Sequence, residues 1–188
     1  GAELHRFLEA EEPSRYWIAW RLLALTGMRR GEVLGVRWSD VDLEAGRLSI
    51  RQTITSVDHE MRIAPRTKTN RSRVIHLDDQ TIAALRAWKA RQNGERLMMG
   101  AGYSELDLVL CHPDGRPYHP DRFSREFERR VERHGMRRIR LHDLRHTWAT
   151  LALAGGVHPK VVQEQLGHSS IAITLDVYSH VAGPMKTD

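Results

Sequence analysis

The sequence predicts a mainly α-helical domain with a small antiparallel β-sheet near its front third, an α+β class. Three observations predict it. Helical periodicity fills most of the chain, residues 47 to 77 alternate and are rich in β-branched side chains, and 188 residues suffice for one sizeable core but not comfortably for two.

The elements follow in order. "SRYWIAWRLLAL" sets Trp17, Trp20, Leu23 and Leu25 near one helical face, and Gly27 is its stop. A second helix is expected from about Arg30 to Trp38. Residues 47–77 read as two or three short antiparallel strands, with "RTKTNRS" as a turn. "DQTIAALRAWKARQNG" carries Ile82, Leu85 and Trp88 at three-residue steps, with Gly94 as its expected stop. "LDLVLCHPDGRPY" is a short extended run closed by a Pro-Asp-Gly turn. "DRFSREFERRVERHG" places Phe123, Phe127 and Val131 on one stripe and arginines around the remainder. "DLRHTWATLALAGG", "PKVVQEQLG" with Pro159 at a helix start, and "SSIAITLDVYSHV" complete the helices. Residues 1–13 are read as a leader or linker remnant, 14–182 as the domain, and 183–188 as a flexible tail.

No stretch is apolar for long enough to span a membrane, and residues 1–13 are acidic rather than signal-like, so a cytoplasmic protein is expected. Cys111 is the only cysteine, which excludes an internal disulfide and a Cys-rich zinc site. No internal repeat or low-complexity tract is present. Lys and Arg number 29 against 24 Asp and Glu, with a pI near 9.8, so the surface favours a polyanion. Part of the excess is local: Asp121 to Arg145 holds nine arginines and five acids. A GC-rich genome explains most of the preference for arginine, 25 to 4 over lysine, and that preference makes each lysine conspicuous.

Four short stretches carry candidate chemistry. In "LHDLRHTWAT", His142 and His146 have the spacing of a two-histidine zinc half-site. Asp143 stands where such enzymes use Glu, and Arg145 would set a cation beside the metal, so the chemistry argues against zinc. His142 and Arg145, at i and i+3, could instead approach one anion together; a salt-bridged first turn around Asp143 is the plainer alternative. "TGMRRGEV" puts two arginines in a bend, one of which could reach inward while Glu32 braces it; a solvated pair is the alternative. "RTKTN" holds Lys68, the only lysine before residue 89, and lysine can lend a proton where arginine cannot. "LGHSSIAITLDVYSHV" sets His168 after a glycine stop and Tyr178 one short helix later; Ile171, Leu175 and Tyr178 also fit a core stripe. Together these groups suit a phosphate: cations crowd its oxygens, an acid serves the leaving oxygen, and a phenol attacks.

The same stretches resemble, in order along the chain, the motifs of the tyrosine recombinases, the phage-integrase family. "TGMRRGE" is similar to the first arginine motif, "TKT" to the hairpin lysine, "LHDLRH" to the His-x-x-Arg motif, "LGH" to the second histidine and "YSHV" to the nucleophile segment. The resemblance implies the fold of that catalytic domain and a division of labour. Tyr178 would attack a DNA phosphodiester to give a 3′-phosphotyrosine and a free 5′-hydroxyl. Arg29, Arg145 and His168 would hold the non-bridging oxygens, Lys68 would protonate the departing oxygen, and His142 would assist proton transfer. Glu32 and Asp143 take bracing roles, and His146 a structural one. The resemblance also implies no metal, ATP or other cofactor, double-stranded DNA as partner, a homo-tetramer on DNA and accessory DNA-bending proteins. Family members normally carry a further amino-terminal DNA-binding domain, which residues before 14 cannot supply, so weak, salt-sensitive DNA binding is expected of this piece. Two other functions fit the pattern. One is a type IB topoisomerase, whose site generally has lysine where this chain has His142; the other is a DNA-binding relic of the fold that no longer cleaves.

Overall fold

Eight α-helices and five short strands make up the described part of a computed structural model. It describes residues 2–65, 73–168 and 170–182, with 177–182 as helical backbone only. The order is α1 (Ala2–Glu11), α2 (Trp17–Thr26), α3 (Arg30–Leu34), β1 (Val41–Asp42), β2 (Arg47–Ile50), β3 (Gln52–Val57), β4 (Glu60–Pro65), β5 (Arg73–His76), α4 (Asp79–Met99), α5 (Pro120–Arg133), α6 (Asp143–Ala154), α7 (Pro159–Leu166) and α8 (Ile171–Ala182). The α+β class stands: the strands are all antiparallel and the rest is helical.

Helix α2 is the spine of the core. Its Trp20 and Leu22 are fully buried, and Trp20 packs on Phe123 with ring centroids 4.6 Å apart and on Phe127 at 5.2 Å. The α5 stripe of Phe123, Phe127 and Val131 is buried as its periodicity requires. Leu25 is not on the inner face and lies exposed. A second, smaller apolar cluster of Ala149, Leu153, Val162 and Leu166 joins α6 to α7.

Several sequence expectations are corrected. Residues 2–11, expected to lie ahead of the domain, form α1 and pack into it: Phe7 meets Phe127 edge-on at 5.3 Å, and buried Glu11 accepts from Arg130 at 2.6 Å and pairs with His134 at 2.9 Å. The apolar face of α1 is the physical reason, since leaving Phe7 in water forfeits roughly 2 kcal/mol of burial. The segment 47–77 holds four strands, β2 to β5, in two sheets: β2 pairs with β5 and, outside the segment, with β1, while β3 pairs with β4, so that Leu48 is opposite Ile75 and Ile54 opposite Ile63. The predicted turn at 66–72 lies outside the described residues. Helix α3 packs closely on β3 and stops at Leu34 rather than near Trp38, because beyond Gly35 the chain pairs with residues 107–109: the Trp38 N–H donates to the Asp107 carbonyl at 2.8 Å and the Val109 N–H to the Val36 carbonyl at 2.9 Å. A Cβ on Gly31 would lie 2.5 Å from Thr53 Oγ1 and 2.6 Å from the Ile54 carbonyl oxygen. Gly94 does not stop α4. It sits where nothing crowds it, an interior glycine costs only about 1 kcal/mol, and the helix runs on to Met99.

Candidate active site

Three separated segments meet at one place: the turn between α2 and α3, the start of α6, and the turn between α7 and α8. The first turn depends on Gly27, whose φ of +65° is left-handed and whose absent Cβ leaves room for Trp148 and Leu166, each 2.7 Å from where it would stand. Arg145, 5 % exposed, is the clasp. Its Nη1 donates to the Gly27 carbonyl at 2.7 Å and its Nη2 to the Leu166 carbonyl at 2.8 Å.

Of the two bend arginines, it is Arg29 that turns to this place. Its Nη2 donates to the Gly167 carbonyl at 3.1 Å, beside the Leu166 carbonyl that Arg145 holds, and its side chain stays 43 % exposed. Arg30 turns the other way, donating to Ser124 Oγ at 2.8 Å and the Pro120 carbonyl at 3.1 Å, which ties the start of α5 to the same turn.

Glu32 is the brace. It is 4 % exposed, accepts the Arg29 backbone N–H at 2.9 Å and Arg29 Nη1 at 3.1 Å, and receives two bonds from Arg73, at 2.8 and 2.6 Å. Burial alone would raise its pKa; the hydrogen bonds and charge of Arg73, followed by Arg29, hold it down to about 2. Asp143 braces differently. It accepts the Arg140 backbone N–H at 2.8 Å and Arg140 Nη2 at 3.2 Å, and so fixes the entry to α6.

His168 follows the left-handed Gly167 that ends α7, and its Nδ1 lies 2.9 Å from Thr174 Oγ1. Burial and then the charges of Arg145, Arg29 and Arg73 push its pKa down to about 4, so the imidazole is neutral at pH 7. A neutral ring carries one N–H; if Nδ1 accepts the Thr174 hydroxyl proton, Nε2 is the donor. His142 stands at the amino-terminal end of α6 and remains exposed, its pKa lowered by partial burial and by His146 and Arg145. His146, expected to be structural, is also exposed and meets His142 edge-on at 4.8 Å between ring centroids. Among the described residues no group of three His, Cys, Asp or Glu side chains converges as metal ligands would.

The structure thus brings together Arg29, Arg145, His168 and Glu32, with His142 at the edge. Lys68 lies outside the described residues, and of Tyr178 the helical backbone alone is described. The expected stripe of Ile171 and Leu175 is not core, since they are 39 % and 43 % exposed while Thr174 is fully buried. Sequence reasoning missed Thr174 and Arg73. Each left a signal: a threonine inside apolar "IAITL", and an arginine at i−2 to Ile75, on the buried face of its strand.

Known proteins resemble this chain in sequence and in fold. The family model described as "Phage integrase family" matches residues 2–183. A "Tyrosine recombinase XerC-like" protein of Caldanaerobacter subterraneus is 31 % identical, over 99 % of this chain and 51 % of its own length. The "ICEBs1 integrase" of Bacillus subtilis is 30 % identical, over 84 % of this chain and 42 % of its own. The chain therefore spans about half the length of the curated relatives it matches. Among solved structures, XerA recombinase is similar with a TM-score of 0.76 and 25 % identity, covering 96 % of this chain and 58 % of that one. The Tn1549 transposon integrase in complex with transposon right end DNA has a TM-score of 0.82 over 96 % of this chain and 60 % of its own; at 20 % identity it bears on the fold alone.

Proposed function

Since the chain belongs to the phage integrase family, we propose that it is the catalytic domain of a site-specific DNA recombinase that cleaves and rejoins strands through Tyr178. The observation that carries this reading is the convergence of Arg29, Arg145 and neutral His168 on the Leu166–Gly167–His168 turn. Two guanidiniums and an imidazole N–H are suited to the two non-bridging oxygens of a phosphodiester. Their charge neutralises the pentavalent transition state, the task that metal ions perform in other phosphoryl transfers.

Position 178 falls one helical turn beyond Thr174, on the face of α8 that Thr174 turns toward His168, which supports Tyr178 as nucleophile. A phenol has an unperturbed pKa of about 10, and a cationic cluster favours its ionised form. Tyr178 attacks phosphorus, the bond to the 5′ oxygen breaks, and Lys68 supplies the proton that oxygen needs. The phosphodiester is stored as a 3′-phosphotyrosine, so the reverse attack by a new 5′-hydroxyl is close to energy-neutral and needs no ATP. His142 assists at the rim.

Double-stranded DNA is the partner. Arg122, Arg125, Arg133, Arg137 and Arg138 are exposed on and just after α5, whose start Arg30 fastens beside Arg29, and they suit a phosphate backbone passing the site. Action as a homo-tetramer, with DNA-bending accessory proteins, completes the reading.

The test is covalent trapping on a pool of nicked duplexes randomised around the nick, where the released fragment diffuses away. Wild-type chain should form a DNA adduct that Tyr178→Phe does not. Equal trapping by both would remove Tyr178 as nucleophile, and bound DNA with no adduct would favour the non-cleaving relic.

A further inference from the structure

Arg73 lies in β5, five residues after Lys68, and belongs to none of the motifs above. Its side chain is 10 % exposed. Nη1 meets Glu32 Oε1 at 2.8 Å and Nη2 meets Oε2 at 2.6 Å, so the fork closes on both oxygens of one carboxylate. Each of those oxygens also serves Arg29: Oε1 accepts its Nη1 and Oε2 accepts its backbone N–H. The terminal torsion of a glutamate is soft, and a two-point fork fixes the carboxylate plane where a single contact would leave it free to turn.

One further observation fits this role. Arg73 Nε is buried with no hydrogen-bond partner among the described residues, although an unsatisfied buried donor is costly. Turning the guanidinium to satisfy Nε would give up one of the two bonds to Glu32. The geometry keeps the fork and leaves Nε unsatisfied.

We propose that Arg73 is a positioning residue: its fork sets the plane of the Glu32 carboxylate, and that plane aims the Arg29 guanidinium at the phosphate. Arg73 does not touch the reacting atoms. It acts through Glu32 on Arg29, and its charge adds to the cationic field at His168. The inference rests on the cleavage reading for its functional consequence, though the Arg73–Glu32–Arg29 relay itself does not.

The experiment has two arms. In the first, arginine side-chain NMR reads the Arg29 Nη signals without DNA. Wild type should show them as separate resonances, from hindered rotation about the Cζ–Nε bond; in Arg73→Lys, which keeps the charge and loses the fork, they should merge. In the second arm, single-turnover cleavage of a trapped duplex should fall in Arg73→Lys by roughly 100-fold, the scale of a misplacement of about 1 Å. Binding of that duplex should stay unchanged. Adding Arg73→Lys to Arg29→Ala should cost nothing further. Glu32→Gln is the second variant, should Arg73→Lys fold poorly: it should lower cleavage to a similar degree, with no added loss in the Arg73→Lys background.

Unchanged Arg29 signals in folded Arg73→Lys, or losses that add to those of Arg29→Ala, would overturn the proposal. A wild type that traps no DNA would sink the cleavage reading alone, because the Arg29 signals still decide whether the relay exists.

Discussion

His168 shows what a cationic pocket demands of its members. Its folded pKa is depressed to about 4 from the ordinary 6.5, so the unfolded chain takes up the proton first. The stability that its neutral form contributes is present above pH 6.5 and is lost as pH falls toward 4. Glu32 has the same sign in a lower window, from 4.5 down to about 2, and on the order of 3 kcal/mol is at stake there. Urea melts from pH 7 to 4 should therefore flatten in their pH dependence when His168 is replaced by Gln; an unchanged slope would mean that His168 is not held neutral. Thr174→Val, which removes the hydroxyl at Nδ1, should lower cleavage roughly 10-fold or more with little loss of folding, in line with one hydrogen bond that fixes the ring and its donor nitrogen. His146 is exposed and makes one ring contact, so His146→Ala should leave the melting temperature within about 1 °C, as surface changes generally do. Arg29, Arg145 and His168 were legible in the sequence because their spacing repeats a known pattern. Without that pattern the bend does not tell Arg29 from Arg30, which are neighbours; in the structure their partners at Gly167 and Ser124 separate them.

At the scale of elements, the site depends on turns more than on helices. Gly27→Ala adds a left-handed Cβ of about 1–2 kcal/mol and an overlap with Trp148 and Leu166, so a loss of roughly 2–4 kcal/mol in chemical denaturation is expected. A variant as stable as the wild type would show that this turn is not the hinge of the site. Arg125→Ala on exposed α5 should reduce the slope of log affinity against log salt by about 1 without altering melting, the signature of one lost phosphate contact. Helices α5, α6 and α7 were legible because their apolar stripes or caps are strong. The sheet was less so: alternation marks strands, but the split of β2–β5 from the β3–β4 hairpin is a matter of long-range pairing that no local window holds. Likewise Ile171 and Leu175 have helical periodicity without burial, which periodicity cannot report.

Across the whole molecule, one core joins α1, α2 and α5 with the β1-β2-β5 sheet, and the cluster of Arg29, Arg145 and His168 lies where α6, α7 and α8 close onto it. That placement explains why residues 2–11 are part of the domain: Phe7 and Glu11 support α5, and Arg30 carries α5 to the site. No helix among the described residues is long and apolar enough to cross a membrane. In the function proposed above, this cluster performs phosphoryl transfer to Tyr178 with protein cations alone. The measurement that meets it most directly is mass spectrometry of the protease-digested DNA adduct formed in excess EDTA. The expected product is a nucleotide joined through its 3′ phosphate to the peptide containing Tyr178; an adduct on any other residue, or one that forms only after a divalent metal is restored, would rule out metal-free transfer to Tyr178.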